Sequence, residues 1–184
     1  MFHRFLTALA ALAFASPAMA QSMEFACPAP GTTITFDSGI KAVARGKESG
    51  DCLMETVGAK PFRMRGLLMA NPGPDGSDTT ALLADLRLER LFPLTVGKRI
   101  EAKHSNAKGS WDYVLTVART QPLQIPGGAL HDTFVVEMTE QATSGPYRSI
   151  SRWWISPKAN YLLRYDFSDS NNQSNRALVT EISN

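Results

Sequence analysis

The side chains with the most direct claim to chemistry are His104 and His131. A catalytic histidine needs a nucleophile within hydrogen-bond reach and a third group to hold its orientation. His104 stands near the end of a predicted strand and is followed by Ser105-Asn106-Ala107-Lys108. That run matches S-x-x-K, a pattern of penicillin-recognising enzymes in which the serine opens a helix. Here the surrounding residues predict a hairpin turn, the companion K-T-G is missing, and no G-x-S-x-G occurs. The segment therefore reads as a solvated turn. His131 is followed directly by Asp132, which is no metal-ligand spacing, and reads as a solvated strand end. Asp75-Gly76-Ser77-Asp78, and Asp169 with Asn171 and Gln173, offer oxygen ligands for calcium but lack the late bidentate glutamate. Both read as turns closed by aspartate side chains, with Asp78 the N-cap of a helix. No metal site and no cofactor motif is expected. A small hydrolase using His104 or His131 with Ser105 stays as the alternative to a binding role.

Aromatic content is the stronger signal. Trp111, Tyr113, Trp153, Trp154, Tyr161, Tyr165 and Phe167 fall in the C-terminal half. Successive residues of a strand point to opposite faces, so Trp153 and Trp154 cannot share one. Packing on both faces would bury the pair; otherwise one of them needs cover from a loop, a partner or a ligand. Arg152 and Arg164 stand where a guanidinium beside an aromatic ring could read an anionic head group. Pairing with Glu137, Asp166 or Glu181 across strands is the commoner fate of such arginines. The candidate ligand-binding residues are thus Trp111, Tyr113, Trp153, Trp154, Tyr165, Arg152 and Arg164.

The N-terminus places this domain in the cell. Arg4 precedes an apolar run from Phe5 to Phe14, Ser16-Pro17 breaks it, and Ala18-Met19-Ala20 presents small residues at the positions a signal peptidase reads. The run is too short for the roughly twenty residues that span a bilayer. Residues 1–20 are expected to be a cleaved signal peptide, leaving a single periplasmic domain, 21–184, with no transmembrane segment. The net charge is +2 and falls to +1 when Arg4, the only charged side chain of the leader, is removed. Near-neutral charge gives no electrostatic case for nucleic acid. In an oxidising compartment Cys27 and Cys52, the two cysteines, are expected to pair.

The pattern of the mature chain is mostly β. Gln21 to Gly31 is an extended lead-in. Thr32 to Phe36, Ile40 to Arg45, Cys52 to Val57 and Phe62 to Met69 read as strands, and Asn71 to Gly76 as a loop. From Thr79 to Leu91 a helix is predicted, with Leu82, Leu83, Leu86 and Leu91 on one side and Leu88 out of phase; Pro93 forces the exit. Thereafter the period is two: Trp111, Tyr113, Leu115 and Val117; Phe134, Val136 and Met138; Trp153 and Ile155; Leu163, Tyr165 and Phe167; Leu178, Thr180 and Ile182. Short polar turns separate these runs, so an antiparallel meander follows.

Leu91-Phe92-Pro93-Leu94-Thr95-Val96-Gly97-Lys98, Trp111-Asp112-Tyr113, Ile125-Pro126-Gly127-Gly128 and Trp153-Trp154-Ile155-Ser156-Pro157 before Tyr161 to Asp166 together resemble a family of exported bacterial domains of unknown function. That family is similar to the half-barrels of periplasmic lipid-carrier and lipoprotein-localisation proteins. Pro126-Gly127-Gly128 departs from the family's Pro-Ala-Gly. The resemblance implies a curved antiparallel sheet packed around one helix and no catalytic residues. The expected fold class is α+β, mostly β, as a half-barrel meander. The expected function is non-catalytic binding of a lipid or other amphiphile, or of an envelope protein. A structural accessory subunit of an envelope complex is the remaining alternative.

Overall fold

The computed structural model describes residues 21–57, 61–65, 68–69 and 79–183. The leader, the loop 71–76 and the Asp78 N-cap lie outside the described residues. Strands β1 (Ser22–Met23), β2 (Thr33–Phe36), β3 (Lys41–Glu48), β4 (Asp51–Thr56), β5 (Phe62–Arg65) and β6 (Leu68–Met69) precede helix α1 (Thr79–Leu86) and a 3₁₀ turn, Leu88–Leu91. After them come β7 (Leu94–Thr95), β8 (Arg99–Asn106), β9 (Gly109–Gln124), β10 (Leu130–Ala142), β11 (Arg148–Ser156), β12 (Tyr161–Asp169) and β13 (Ser174–Ser183). The fold is mostly β with one short helix, and its large antiparallel sheet does not close into a barrel.

Eleven strands make that sheet, in the order β6-β5-β4-β3-β2-β13-β12-β11-β10-β9-β8. It is two meanders, β2 to β6 and β8 to β13, joined where the last strand pairs with β2 (Ile182 opposite Ile34). The run Phe62 to Met69, read as one strand, folds back on itself, with Arg65 opposite Leu68. The reversal between the strands read at Ile40 to Arg45 and Cys52 to Val57 is tight. Lys47 and Glu48 stay in β3, and Ser49 and Gly50, both at positive φ, make the reversal.

The predicted helix also breaks. α1 ends at Leu86, and Arg87 adopts a left-handed conformation (φ 47°, ψ 55°) before the 3₁₀ turn. That reversal resolves the phase problem of Leu88. A continuous helix would turn it toward solvent, whereas after the break Leu88 and Leu91 both return to the core.

The alternating residues of the long strands meet the helix. Leu83, Leu86, Leu88 and Leu91 pack with Tyr113, Leu115 and Val117 of β9, Phe134, Val136 and Met138 of β10, and Trp153 and Ile155 of β11. A second core joins the two meanders: Ile34, Ala42, Ala44, Met54 and Met64 with Tyr161, Leu163 and Val179. Cys27 and Cys52 are bonded at its margin, tying the lead-in to β4. β1 pairs with β7 and places Met23 in the first core, so the lead-in is held at both ends.

Bulges interrupt the register of β9 with β10, of β11 with β12 and of β13 with β2. A bulge bends its strand and increases the local twist. The consequence is visible at the β9–β10 hairpin tip. The Gly127 N–H donates to the Thr180 carbonyl at 2.8 Å, although two strands separate β10 from β13 in the sheet. Only a strongly coiled sheet brings those strand ends together.

Candidate functional site

The aromatic and arginine residues singled out from the sequence divide between the two faces of the sheet. Tyr113 and Trp153 lie in the first core, with Trp111 and Tyr165 packed against its edge. Trp153 and Tyr165 rings are 5.6 Å apart, and the Trp111 ring stacks on His104 at 6.4 Å. The Tyr113 hydroxyl donates to Glu140 Oε1 at 2.9 Å, and Ser149 Oγ donates to Glu140 Oε2 at 2.8 Å. Burial, together with that carboxylate, holds the Tyr113 phenol well above its ordinary pKa, so it acts only as a neutral donor.

Trp154 turns to the opposite face and is 4% exposed. Its cover comes from within the chain: the Arg164 guanidinium lies 4.4 Å from the ring centre, and its Nε1–H donates to Gln121 Oε1 at 3.3 Å. Arg164 Nε also donates to Asp166 Oδ1 at 2.9 Å, and Arg152 Nε to Glu137 Oε2 at 2.6 Å across the β10–β11 pair. The arginines thus pair as cross-strand and same-strand neighbours do. A shallow depression of about 430 Å³ borders Arg152, Asp166 and Arg176, but its cations already face carboxylates.

His104 is not a free strand-end residue. It is buried and clamps α1 to β8, with Nδ1 2.9 Å from Asp85 Oδ2. Asn106 Nδ2 lies 3.4 Å from Nε2. Ser105 Oγ bonds Ser110 Oγ at 2.7 Å across the hairpin and makes no bond to His104. The S-x-x-K segment is a tight reversal in which Asn106 Oδ1 accepts the Lys108 N–H at 2.8 Å. Asp169 likewise spends Oδ1 on the Asn171 and Gln173 amides, the turn expected there.

His131 differs most from its sequence reading. It is 5% exposed, not solvated, and its Nδ1 lies 2.9 Å from Ser156 Oγ. Ser156 is fully buried, and its Oγ also accepts the Ala159 N–H at 3.2 Å. Burial, with Lys158 nearby, lowers the His131 pKa, so the ring is neutral at neutral pH. Its Nε2 is buried and makes no hydrogen bond among the described residues.

His131 lines a cavity of about 370 Å³ at one end of the sheet. Ile125, Gly127 and Ala129 of the β9–β10 tip form one wall. Lys158, Ala159 and Asn160 of the β11–β12 turn form the second, and Glu181 and Ile182 of β13, with Thr32 and Ala29, the third. Each wall has a local cause. Asn160 takes the left-handed conformation (φ 50°) that closes the Ser156–Tyr161 reversal, a position asparagine tolerates. Gly127 sits so close to β13 that a Cβ there would lie 2.8 Å from the Thr180 carbonyl oxygen. Glycine at position 127 is therefore required by this docking. The approach of three strand ends leaves no periodic signal in the sequence.

No family model matches the sequence, and no curated protein matches it. Among solved structures, the hypothetical lipoprotein YmcC of Escherichia coli K12 aligns at 10% identity with a TM-score of 0.49, over 83% of this chain and 84% of that one. A candidate lipoprotein of Parabacteroides distasonis aligns at 12% identity with a TM-score of 0.43, over 89% of this chain and 100% of its own.

Proposed function

We propose that this chain is an exported, non-catalytic binding protein of the bacterial envelope, and that its ligand is a small amphiphile held in the strand-end cavity. The observation that carries the reading is the cavity itself: apolar side chains of Ile125, Ile182 and three alanines surround a buried, neutral imidazole. Its volume lies at the lower end of the roughly 300–1,000 Å³ of small-molecule sites, which combine apolar walls with a few placed polar groups. Export is supported by the leader sequence and by the Cys27–Cys52 disulfide, a bond that persists in oxidising compartments.

Hydrolysis is the rival reading, and the His131–Ser156 pair is the observation in its favour. A nucleophilic serine must be open to the substrate and free to lose its proton to the histidine. Ser156 is closed to solvent and engaged by the Ala159 amide as well, so it orients the imidazole and fixes the β11–β12 turn.

Native mass spectrometry of protein purified gently from the periplasm tests the proposal, with organic extraction to identify any bound species. A stoichiometric amphiphile, lost on filling the cavity by Ala129→Trp, is the expected result. Protein that is bare and fails to take up any amphiphile offered to it sinks the reading.

A further inference from the structure

We propose that the polar group recognised in this cavity is a zwitterion, its anionic end set against Lys158 and its ammonium against Glu181. The inference rests on the reading of the cavity as a ligand site. Lys158 stands on the turn wall beside His131, while Glu181 stands on the β13 wall. Neither makes an ion pair with the other or with any described residue, so among the described residues the cavity carries one exposed, unpaired charge of each sign on separate walls. This contrasts with the arginine face, where the guanidinium groups already have carboxylate partners.

Between those walls His131 is 95% buried, since 5% of it is exposed, and its Nε2 has no hydrogen bond within the described chain. Ser156 fixes the ring through Nδ1. The charged contacts to a ligand therefore fall to the exposed Lys158 and Glu181, with His131 packed into the wall between them. A purely anionic head would face Glu181 with like charge, and a purely cationic one would face Lys158. A ligand carrying both charges satisfies both walls, and its apolar body lies along Ile125 and Ile182. Two sources supply this chemistry: an ethanolamine phospholipid head group, and a short peptide or amino acid with an aliphatic side chain.

Calorimetric titration of the disulfide-bonded mature protein tests it. The probes are lysophosphatidylethanolamine below its micelle concentration, leucyl-leucine, lysophosphatidic acid, dodecylamine and uncharged monolaurin. At least one zwitterion is expected to bind about tenfold or more tightly than the anionic, cationic and uncharged probes, the size of one charge-assisted contact. Which zwitterion binds identifies the source. Lys158→Ala should weaken the zwitterion and the anion but not the cation, and Glu181→Ala the zwitterion and the cation but not the anion. Equal affinity for all heads, with binding still abolished by Ala129→Trp, overturns the zwitterion and leaves the cavity standing. Binding that survives Ala129→Trp, in a variant whose thermal melt shows it folded, overturns the cavity reading itself. A wild-type protein that binds none of the probes overturns both.

Discussion

Gly127 is the residue on which the strand-end architecture turns. Its backbone N–H docks the β9–β10 tip on Thr180, and a methyl group in place of its hydrogen would lie 2.8 Å from that carbonyl. The contact is to backbone, so the neighbour cannot simply rotate away. Gly127→Ala is therefore expected to lower stability by roughly 1–3 kcal/mol, the range for forced overpacking, read from urea denaturation. The neighbouring Gly128, at φ +88° with open space around a notional Cβ, is strained by substitution for a different reason, its left-handed backbone. His131 makes a separate prediction. An unfolded chain protonates it at the ordinary value near 6.5, and the folded chain only at a lower pH. Between those values the unfolded state binds more protons, so this residue's contribution is intact above 6.5 and is lost as pH falls toward the folded value. His131→Gln should flatten the dependence of unfolding free energy on pH in that window; an unchanged slope between pH 7.5 and 5.5 would show that burial does not govern this imidazole. The sequence presented His131 as a solvated strand end because nothing in its local neighbours announces Ser156, which comes within reach of it only through the β10–β11 pairing.

At the scale of elements, the helix shows what periodicity can and cannot deliver. Leu82, Leu83 and Leu86 follow helical spacing and do pack on the sheet. The spacing cannot register a reversal at a residue such as Arg87, which is neither glycine nor asparagine and gives no local warning of a left-handed conformation. Leu88 reports on this point directly. In a continuous helix its truncation would act as a surface change, within about 0.5 kcal/mol. In this fold Leu88 is buried with Leu86 and Leu91, and Leu88→Ala is expected to cost about 2–5 kcal/mol by denaturant unfolding. The strands β9 to β11 were legible for the opposite reason. Their helix-facing residues alternate without interruption where the core is thickest, and Val135 and Trp154, buried on the other face, stand out as exceptions for which a cover had to exist. The cover over Trp154 is Arg164 and Gln121, neither of them among its neighbours in sequence.

For the molecule as a whole, alternation and turn chemistry made an antiparallel meander with a single helix legible, but not the seam that joins β13 to β2. That pairing links residues near the two ends of the domain, such as Ile182 and Ile34, and no local pattern encodes a contact so remote. The disulfide is the other long connection. It ties the lead-in to β4 across a sequence separation of 25 and sits at the margin of the second core. Closing a loop of that length in the unfolded chain stabilises the fold by about 3.5 kcal/mol in the chain-entropy model. Reduction, or the paired substitution Cys27→Ala with Cys52→Ala, is expected to lower the unfolding free energy by about that amount. The loss should be uneven. Besides the disulfide, the lead-in is held by the two-residue pairing of β1 with β7, the burial of Met23, the contact of Phe25 with Phe92, ring centres 5.3 Å apart, and the Gly31 N–H bond to the Ala44 carbonyl. The β9–β11 region, by contrast, retains its full ladders and the first core. Hydrogen exchange of the reduced protein should therefore show amides of Met23 and Leu94 opening well before those of Leu115, Val136 and Trp153. Equal loss of protection in both regions would mean that the two cores unfold as one unit, with the disulfide supporting the sheet as a whole and not merely its lead-in.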